Sequence, residues 1–487
     1  MRADRARRIQ VFLDDSGSRA TDGSITIASL RKQNGVAAII TPLSDLDGDP
    51  DAVVAILRST EERLFAWVDA GAVLAPQALS RMIDVAERFT AELVYADRSA
   101  RIHGRLQLIA RPDFSPLRFL GQDYLGDVVL VDALQAIESG IPRGLGRAVV
   151  DKVVLRLDPA KVVHVPEVLS RRTGPSPHLD TTARAERVLA RLVGDGAGVV
   201  GVPTVTPTGS NALRVKFAPD GEPLVSIVIP TRGSSAEIRG DQRTLVVDAV
   251  RSILNTSSYR HLEIVVVADD ATPQWVVDEL GALAGDRLVL VRWPEPFNFS
   301  AKVNRGAAHA AGEFLLVLND DIEVITPDWI ETMLGLAQQP GIGAVGAHLV
   351  FEDGSVQHGG HFYQAQGAGH IALDWSIDDD DATGALAVAH EVSGVTGACV
   401  LVSAALFARA GGFSSLLPGN YNDVDFSMKI RALGERIVWT PWAKLFHFES
   451  KTRNATSTES EFQVLRARWG TRMEVDPYWP DGAQPVG

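Results

Sequence analysis

From residue 223 onward, short apolar segments alternate with segments in which apolar residues recur every three or four positions. The apolar segments are rich in Val, Ile and Leu, which is typical of strands buried on both faces of a sheet. They include "PLVSIVIPT", "HLEIVVVADD", "RLVLVRWP" and "EFLLVLNDD". The segments between them, such as "DQRTLVVDAVRSILN" and "PQWVVDELGALAG", have the spacing of amphipathic helices. This alternation predicts an α/β fold with a mostly parallel sheet that helices cover on both faces.

Polar side chains stand where several of these predicted strands end. They are Thr231, Arg232, Asp269, Asp270, Asn319, Asp320 and Asp321. Ligands of open α/β sheets bind beyond the carboxyl ends of the strands. Because several independent strands deliver polar groups to that edge, we expect a binding site there.

Two adjacent carboxylates, Asp320 and Asp321, end one of the apolar strands. Like charges repel, and burying them is costly unless a positive charge compensates. Asp oxygens suit Mg²⁺ and Mn²⁺, which typically serve phosphate-bearing substrates. The pair therefore predicts a divalent cation site, with His447 as a candidate third ligand after another apolar strand. The structural alternative is that one of the two carboxylates only caps the next turn.

Charge and composition exclude several classes of protein. The net charge of −14 disfavours nucleic acid as a partner, because that affinity comes largely from Lys and Arg. It also disfavours an anionic membrane surface, although a local basic patch could still make peripheral contact. We find no apolar run of transmembrane length and no apolar core of a secretory signal. The single cysteine, Cys399, fits a reducing compartment, so we expect a cytoplasmic protein.

Two other patterns do not predict binding sites. The sequence "GIGAVG" (341–346) matches a dinucleotide-binding fingerprint, but that fingerprint needs a strand before it and a helix after it. Here a helix is predicted before it and a strand continues from it. The segment "DWSIDDDDATG" (374–384) holds four consecutive Asp residues. Their side chains diverge, which predicts a solvated loop rather than a metal cluster.

Residues 223–480 resemble a family 2 glycosyltransferase with the GT-A fold, of the bacterial surface-polysaccharide type. The matching motifs, in order, are "VSIVIPT", "IVVVADDAT", "PFNFSAKVNRGAAHAAGEFLLVLNDDIEVITPDW", "QHGGHFY", "TGACVLVSAALFARAGGF" and "LPGNYNDVDFSMKIRALGERIVWTPWAKLFHFES". The resemblance implies an inverting, metal-dependent enzyme of the cell envelope. It would transfer a hexosyl or deoxyhexosyl group from a UDP-, dTDP- or GDP-linked donor to a growing polysaccharide or lipid-linked glycan.

The resemblance also implies roles for individual residues. The nucleotide-sugar donor would contact Pro230, Thr231, Asp270, Asn304, Asp320 and Gly397. Asp321 and His447 would hold Mn²⁺ or Mg²⁺ at the diphosphate. The histidines of "VQHGGHFY" and "GAGH" would contact the acceptor; they are His358, His361 and His370. Three histidines also allow a zinc site, which we consider the less favoured alternative.

Transfer to an acceptor hydroxyl needs a base that takes its proton. The motif "NYNDVDF" supplies Asp423 and Asp425 just before a predicted helix. We predict that Asp423 is this base. Asp425 would cap the helix or bind the acceptor, since a carboxylate near a helix N-terminus is stabilised by the dipole.

Residues 1–204 repeat part of this pattern. The segment "FAWVDAGAVLAP" matches "FLLVLNDDIEV" with Gly71 opposite Asp320 and Ala72 opposite Asp321. The Asp423 region matches "GLGRAVVDKVVLRL", which has no acid pair, and Ser170 or Arg171 stands where His447 would be. The copy starts at a later strand than the second one, so it lacks the first strand and helix.

We therefore predict two tandem GT-A-like domains, of which the first is truncated and degenerate. The predicted parts are a non-catalytic domain (1–204), a linker (205–222), a catalytic domain (223–455) and a C-terminal helix and tail (456–487). The first domain would act as a scaffold or hold the acceptor glycan. The rival hypothesis is a catalytically silent glycan-binding or assembly protein in which both domains have decayed.

Overall fold

The computed structural model describes residues 7–16, 20–102, 104–143, 145–172, 180–194, 198–208, 212–376, 384–448 and 459–479. The predicted linker, the acidic loop and the C-terminal tail lie partly outside the described residues. Within the described residues, no helix is both long enough and apolar enough to span a membrane.

The first part of the chain forms an eight-stranded sheet with helices packed against it. Its strands are β1 (Arg7–Asp14), β2 (Val36–Pro42), β3 (Leu64–Asp69), β4 (Ala72–Leu74), β5 (Leu93–Ile102), β6 (Arg105–Ile109), β7 (Val128–Asp132) and β8 (Val162–Arg172). Its helices are α1 (Ala20–Leu30), α2 (Pro50–Ser59), α3 (Ala78–Phe89), α4 (Pro116–Gly121), α5 (Ala133–Ser139), α6 (Arg147–Val154) and α7 (Thr181–Val193). The strand order is β2-β1-β3-β7-β5-β8-β4, and β6 pairs with β5.

The second part of the chain forms a ten-stranded sheet and three two-stranded ribbons. Its strands are β9 (Pro203–Pro207), β10 (Leu213–Phe217), β11 (Val225–Thr231), β12 (Ser235–Ile238), β13 (Asp241–Thr244), β14 (Leu262–Asp269), β15 (Leu288–Trp293), β16 (Phe314–Leu318), β17 (Ile322–Val324), β18 (Ile342–Val350), β19 (Val356–His358), β20 (His361–Gln364), β21 (Gly367–His370), β22 (His390–Val392), β23 (Cys399–Ser403) and β24 (Arg436–His447). Its helices are α8 (Leu245–Thr256), α9 (Gln274–Ala284), α10 (Phe299–His309), α11 (Trp329–Ala337), α12 (Ala404–Arg409), α13 (Asn422–Ala432) and α14 (Glu459–Trp469). The order in the large sheet is β15-β14-β11-β16-β23-β18-β24-β17.

The α/β prediction is confirmed, and the predicted strands and helices between residues 223 and 318 form close to the expected bounds. The prediction of mostly parallel sheets is wrong. In the second sheet β11 pairs in parallel with β14 and β16, but β23 is antiparallel to both β16 and β18. The strict strand–helix alternation ends at β16, because β17 follows it after a turn and, in the described part of the chain, β19 to β23 follow one another without an α-helix between them. The sheet is therefore mixed.

The predicted linker contains a β-hairpin. Strand β10 pairs with β9, and its side chains alternate, with Leu213, Val215 and Phe217 buried. The backbone of α11 approaches the hairpin so closely that a Cβ atom on Gly335 would lie 1.8 Å from the Phe217 carbonyl oxygen. This alternation of apolar and polar residues is a strand pattern that the Pro- and Gly-rich composition of the segment concealed.

The two large sheets share one strand order once β11 is left out. The run β2-β1-β3-β7-β5-β8-β4 corresponds to β15-β14-β16-β23-β18-β24-β17, and each neighbouring pair other than β14 and β16 keeps its parallel or antiparallel sense. In the first sheet β1 pairs directly with β3, whereas β11 lies between β14 and β16 in the second.

Strand register corrects the alignment between the two sheets by one residue. Ala72 pairs with Arg172 in the first sheet, as Ile322 pairs with His447 in the second. The residues that correspond to Asp320 and Asp321 are therefore Ala70 and Gly71, not Gly71 and Ala72. The sequence alignment matched two phenylalanines by type, but the strands themselves begin at Leu64 and Phe314.

The two parts of the chain pack against each other through a buried glutamate. Glu391 is 1% exposed and accepts hydrogen bonds from the Ser115 hydroxyl and the Leu117 N–H at the start of α4. Arg436 pairs with the same carboxylate at 2.5 Å. A buried carboxylate with several donors is a strong, directional contact, so the first sheet is tied to the second.

Helix α10 lies unusually close to the sheet that carries the polar edge, because it presents a glycine. A Cβ atom on Gly306 would lie 2.5 Å from Val228 Cγ1 and 2.8 Å from Val267 Cγ2. We expect Gly306→Ala to lower the free energy of unfolding by about 1–3 kcal/mol through overpacking. Urea denaturation would measure the change.

The matched control is Gly281→Ala in helix α9. Within the described part of the chain, a Cβ atom at that position would meet no atom within 4 Å. Alanine favours helix over glycine by up to about 1 kcal/mol, so this variant should be at least as stable as the parent. Equal effects of the two substitutions would contradict the close approach of α10.

Candidate active site

A cavity of about 680 Å³ opens at the carboxyl ends of the parallel strands of the second sheet. Most of the predicted site residues line it: Pro230, Thr231, Asp320, Asp321, His361, His370, Gly397, Asp423 and His447. Some of them come from the end of β11 and from the turn after β16. The others come from the segments before β23, from the start of α13 and from the end of β24. The cavity therefore unites residues far apart in sequence. Four other predicted residues lie outside its lining: Asp270, Asn304, His358 and Asp425.

The turn between β16 and β17 presents the two adjacent carboxylates. Asp320 Oδ2 accepts a hydrogen bond of 2.6 Å from the Thr231 hydroxyl at the end of β11. Burial, and then the neighbouring Asp321 carboxylate, raise the pKa of Asp320 to about 6. The pair therefore lies in a site that disfavours two negative charges.

His447 faces Asp321 with its unprotonated nitrogen. Gln357 Oε1 lies 2.5 Å from His447 Nδ1, and a carbonyl oxygen can only accept, so Nδ1 carries the proton. Asn319 Nδ2 lies 3.1 Å from His447 Nε2 and donates to it. The Nε2 lone pair is therefore directed toward Asn319 and Asp321, the arrangement of a metal-ligating histidine whose other nitrogen is held by an acceptor.

Asp321 and His447 fit a divalent cation. Asp321 Oδ1 lies 3.1 Å from His447 Nε2, which is ion-pair distance. Among the described residues this buried oxygen has no hydrogen-bond partner. Burial acts to raise the pKa of Asp321, but a positive charge on the His447 ring would outweigh burial and hold this pKa below its ordinary value. A cation between these two atoms would satisfy both.

A buried lysine at this edge was missed by sequence reasoning. Lys302 on α10 is 2% exposed, and its ammonium group donates to Asp269 Oδ1 at 2.6 Å and to the Thr231 carbonyl at 2.8 Å. Lys302 and Asp269 both line the cavity. The signal was the lysine in the small-residue segment "SAKVNRG", because lysine is an unusual residue on a helix face that packs on a sheet.

Asp270 and Asn304, two of the predicted nucleotide contacts, lie outside the lining of the cavity. Asp270 is exposed, while Asp269 faces the cavity, because successive residues at a strand end point to opposite sides. Asn304 uses its amide to bond both the N–H and the carbonyl of Phe413, at 2.8 Å each. It therefore ties α10 to the segment that follows α12.

Asp423 lies at the start of α13, beside the backbone of Gly397. Its Oδ2 accepts from the Gly397 N–H at 3.1 Å, and its Oδ1 accepts from the Val424 N–H at 2.8 Å. A Cβ atom on Gly397 would be in ordinary contact with Phe299, Phe413 and Asp423. Both glycine and carboxylate line the cavity, so the carboxylate is fixed in direction and can reach a ligand.

Asp425, two residues later, is fully buried. Trp469 Nε1 donates to its Oδ1 at 2.9 Å, and Arg468 and Lys429 form ion pairs with the carboxylate. Two of these partners belong to α14. The side chain therefore joins α13 to α14 instead of reaching the cavity.

The three histidines form a compact cluster, with ring centroids 4.8 to 4.9 Å apart. The Thr396 N–H donates to His358 Nε2 at 3.2 Å, which places the ring proton on Nδ1. That Nδ1 lies 2.9 Å from His370 Nδ1 and donates to it. Burial, and then the charge of His370, lower the pKa of His361 to about 3. The three rings offer nitrogens within 4.8 Å of one another, a spacing that a zinc ion could bridge. Both ring nitrogens of His358 are, however, already engaged in this network.

The corresponding edge of the first sheet carries different chemistry. Helices α6 and α13 both begin after a residue of positive φ, Gly146 and Tyr421, so Ala148 corresponds to Asp423. The Arg172 guanidinium lies beside Gly71, where a Cβ atom would be 3.6 Å from Nη2. The same side chain pairs with buried Asp127 at 2.9 Å. A fixed arginine thus occupies the region that corresponds to Asp321 and His447.

Two curated proteins match most of the chain. An uncharacterized protein, y4gI, of Sinorhizobium fredii is 30% identical over 443 residues, which are 85% of this chain and 47% of that protein. The O-antigen biosynthesis protein RfbC of Myxococcus xanthus is 30% identical over 437 residues, which are 83% of this chain and 32% of that protein. The chain thus spans less than half the length of either relative.

Solved structures of two transferases show partial similarity. GalNAc-T7 with UDP, GalNAc and Mn²⁺ has a TM-score of 0.42 and 13% identity, covering 55% of this chain and 52% of that one. The mannosyltransferase PcManGT of Pyrobaculum calidifontis, in complex with GDP-Man and Mn²⁺, has a TM-score of 0.35 and 19% identity, covering 48% and 60%.

Residues 226–409 match the family model for glycosyl transferase family 2. The matched segment runs from β11 through the acidic pair and the histidine cluster to the end of α12. It contains Asp320, Asp321 and Gly397, while Asp423, at the start of α13, and His447, at the end of β24, follow it in the chain. Residues 226–409 are therefore a domain of glycosyl transferase family 2.

Proposed function

We propose that the chain is a metal-dependent, inverting glycosyltransferase that uses a nucleotide-diphosphate sugar. One observation carries this proposal: Asp320, Asp321, His447 and Asp423 converge on one cavity at the carboxyl edge of the sheet. The acceptor would be a growing surface polysaccharide or lipid-linked glycan at the cytoplasmic face of the membrane. The relative named for O-antigen biosynthesis supports this class of acceptor.

The donor side of the cavity would be built on Asp321 and His447. A Mn²⁺ or Mg²⁺ ion held there supplies Lewis-acid stabilisation of the diphosphate leaving group. Gln357 keeps the His447 proton on Nδ1 and its lone pair toward the ligand. The Thr231 hydroxyl orients Asp320, which would face the ribose.

The nucleoside would lie against the ends of β11 and β14. Pro230 and Thr231 line the cavity there, and Lys302 places a buried positive charge beside Asp269. Asp270, at the exposed rim, would reach the base or ribose from outside. Asn304 would act indirectly, through the segment that it holds at Phe413.

Asp423 would be the base of a single displacement. Its carboxylate takes the proton of the acceptor hydroxyl while that oxygen bonds to the anomeric carbon of the donor sugar. The bond from the anomeric carbon to the diphosphate oxygen breaks in the same step, so the configuration inverts. The Gly397 and Val424 N–H groups hold the carboxylate in direction. His361 and His370, also on the cavity wall, would contact the acceptor, with His358 supporting them from behind.

The first domain would be a GT-A-like copy that neither binds metal nor transfers sugar. Its sheet follows the same strand order without the counterpart of β11. Ala70, Gly71 and Ala148 stand at the positions of the two acids and the base, and Arg172 stands at that of His447. A permanent cation there disfavours a metal ion. The remaining roles are scaffolding and acceptor binding.

The rival function, a catalytically silent glycan-binding or assembly protein, makes a different prediction. An enzyme should gain stability from UDP, GDP or dTDP together with Mn²⁺, because a ligand that binds only the folded state stabilises it. We expect one of the three nucleotides to raise the melting temperature, and EDTA to cancel the rise. No rise with any of them would contradict the enzyme hypothesis. Hydrolysis of a panel of nucleotide sugars would then identify the donor.

A further inference from the structure

We propose that Glu461, on the C-terminal helix α14, is a positioning residue that holds the Asp423 loop in its reactive geometry. The proposal rests on the proposed function, in which Asp423 is the base. We use the name Asp423 loop for residues 419–423, which all line the cavity. Glu461 itself acts from behind the loop and would touch no substrate.

Glu461 is buried and binds the loop through its whole carboxylate. It is 6% exposed. Its Oε1 accepts from the N–H groups of Gly419 and Asn420, at 2.9 Å each, and its Oε2 accepts from Asn420 Nδ2 at 2.7 Å. Hydrogen bonds to an ionised carboxylate are about twice as strong as neutral ones. Three of them converge here on two consecutive residues.

The loop needs such support because its next residue is strained. Tyr421 has φ 57° and ψ 5°, the left-handed region, which costs a non-glycine residue about 1–2 kcal/mol. The Tyr421 side chain makes no capping hydrogen bond to the helix that begins directly after it. A relaxation at Tyr421 would turn Asn422 and Asp423 away from Gly397, since those residues open α13.

Helix α14 is a firm base for this contact because its other end is anchored to α13. Trp469 and Arg468 both bond the buried carboxylate of Asp425, at 2.9 Å each. Leu465, between the two ends, is 1% exposed and packs in a cluster with Val424 and Met428. The helix therefore holds α13 at Asp425 and the loop before it through Glu461. Asp423 lies between these two points of attachment.

The test is Glu461→Gln, which keeps the size of the side chain and removes its charge. The amide has one acceptor oxygen, so its NH₂ group must face a donor that Glu461 now satisfies. We expect kcat to fall by up to about 100-fold, the loss typical of a misplaced catalytic group. The KM for the donor and the Mn²⁺-nucleotide shift in melting temperature should stay at the wild-type values.

The matched control is Glu459→Gln on the same helix. Glu459 is exposed and also lies in the first turn, so both variants lose the same interaction with the helix dipole. The control should keep wild-type kcat. A wild-type kcat in Glu461→Gln would overturn the positioning role. A loss of donor binding as large as the loss of kcat would overturn it too.

Amide hydrogen exchange tests the contact without any turnover. Glu461→Gln should speed exchange at the amides of 419–424, and Glu459→Gln should leave them unchanged. If the wild-type chain transfers no sugar but the exchange result holds, the proposed function fails and the contact stands. Unchanged exchange in Glu461→Gln overturns the inference itself.

Discussion

Replacing Asp321 with Ala is expected to abolish the rise in melting temperature that Mn²⁺ and a nucleoside diphosphate give the wild-type chain. Asp321 Oδ1 and His447 Nε2 are the two ligand atoms that face each other, 3.1 Å apart, so loss of one leaves the ion with a single protein ligand. A ligand at a hundredfold excess over its Kd stabilises a protein by about 2.7 kcal/mol. For a domain of this size that is a shift of about 5–10 °C, which thermal denaturation would measure.

The variant should remain folded, because the substitution removes a source of repulsion. Burial and then the adjacent Asp321 carboxylate raise the pKa of Asp320, so the two partly buried carboxylates repel each other. We expect the melting temperature without ligand to stay near the wild-type value, because the loss of the interaction with His447 offsets the relieved repulsion. The control is Asp278→Ala, which removes an exposed carboxylate from α9 and should keep the full ligand shift. A full shift in Asp321→Ala would mean that the cation binds elsewhere.

The same measurement tests the first domain. Its corresponding residues are Ala70, Gly71 and Arg172, and a guanidinium already occupies the region. The wild-type chain should therefore bind one metal–nucleotide complex, and Asp321→Ala should bind none. Calorimetric titration would give the stoichiometry. Binding of a second equivalent would show that the first domain has a donor site.

Local pattern predicted the elements that carry the site. The strands up to β16 are continuous apolar segments, and their helices have clear 3.6-residue periodicity, so both are specified by residues close in sequence. The polar groups at their ends follow from chain direction alone, because parallel strands present the same ends at one edge. The positions of Thr231, Asp320 and Asp321 at this edge are therefore predictable from the amino-acid sequence.

Long-range pairing was beyond local pattern. Strand β23 pairs antiparallel with β16 and so joins residues more than 80 positions apart. The sequence of an apolar strand does not indicate whether it will pair in a parallel or an antiparallel direction. The choice between Asp269 and Asp270 depends on one residue of register, which also shifted the alignment of Ala70 and Gly71. Glu461 and Lys302 act on distant parts of the chain, so neither role is visible in its own segment.

Replacing Asp423 with Asn is expected to remove sugar transfer while donor binding persists. General base catalysis typically contributes about 10²–10⁴-fold, and an amide cannot take a proton from the acceptor hydroxyl. The melting-temperature shift with Mn²⁺ and nucleotide should remain, because Asp321 and His447 are untouched. Transfer would be followed as release of nucleoside diphosphate in the presence of acceptor.

Asp425→Asn is the informative comparison with Asp423→Asn. The two carboxylates are two residues apart, but Asp423 lines the cavity and Asp425 joins α13 to α14. Asp425 is fully buried between Lys429, Arg468 and Trp469, and removing one partner of a buried ion pair costs about 3–5 kcal/mol. We expect this variant to unfold at a lower temperature than Asp423→Asn, which should melt near the wild type. Transfer by Asp423→Asn at the wild-type rate would mean that another group takes the proton. His361 and His370, which line the same cavity, would then be the next candidates.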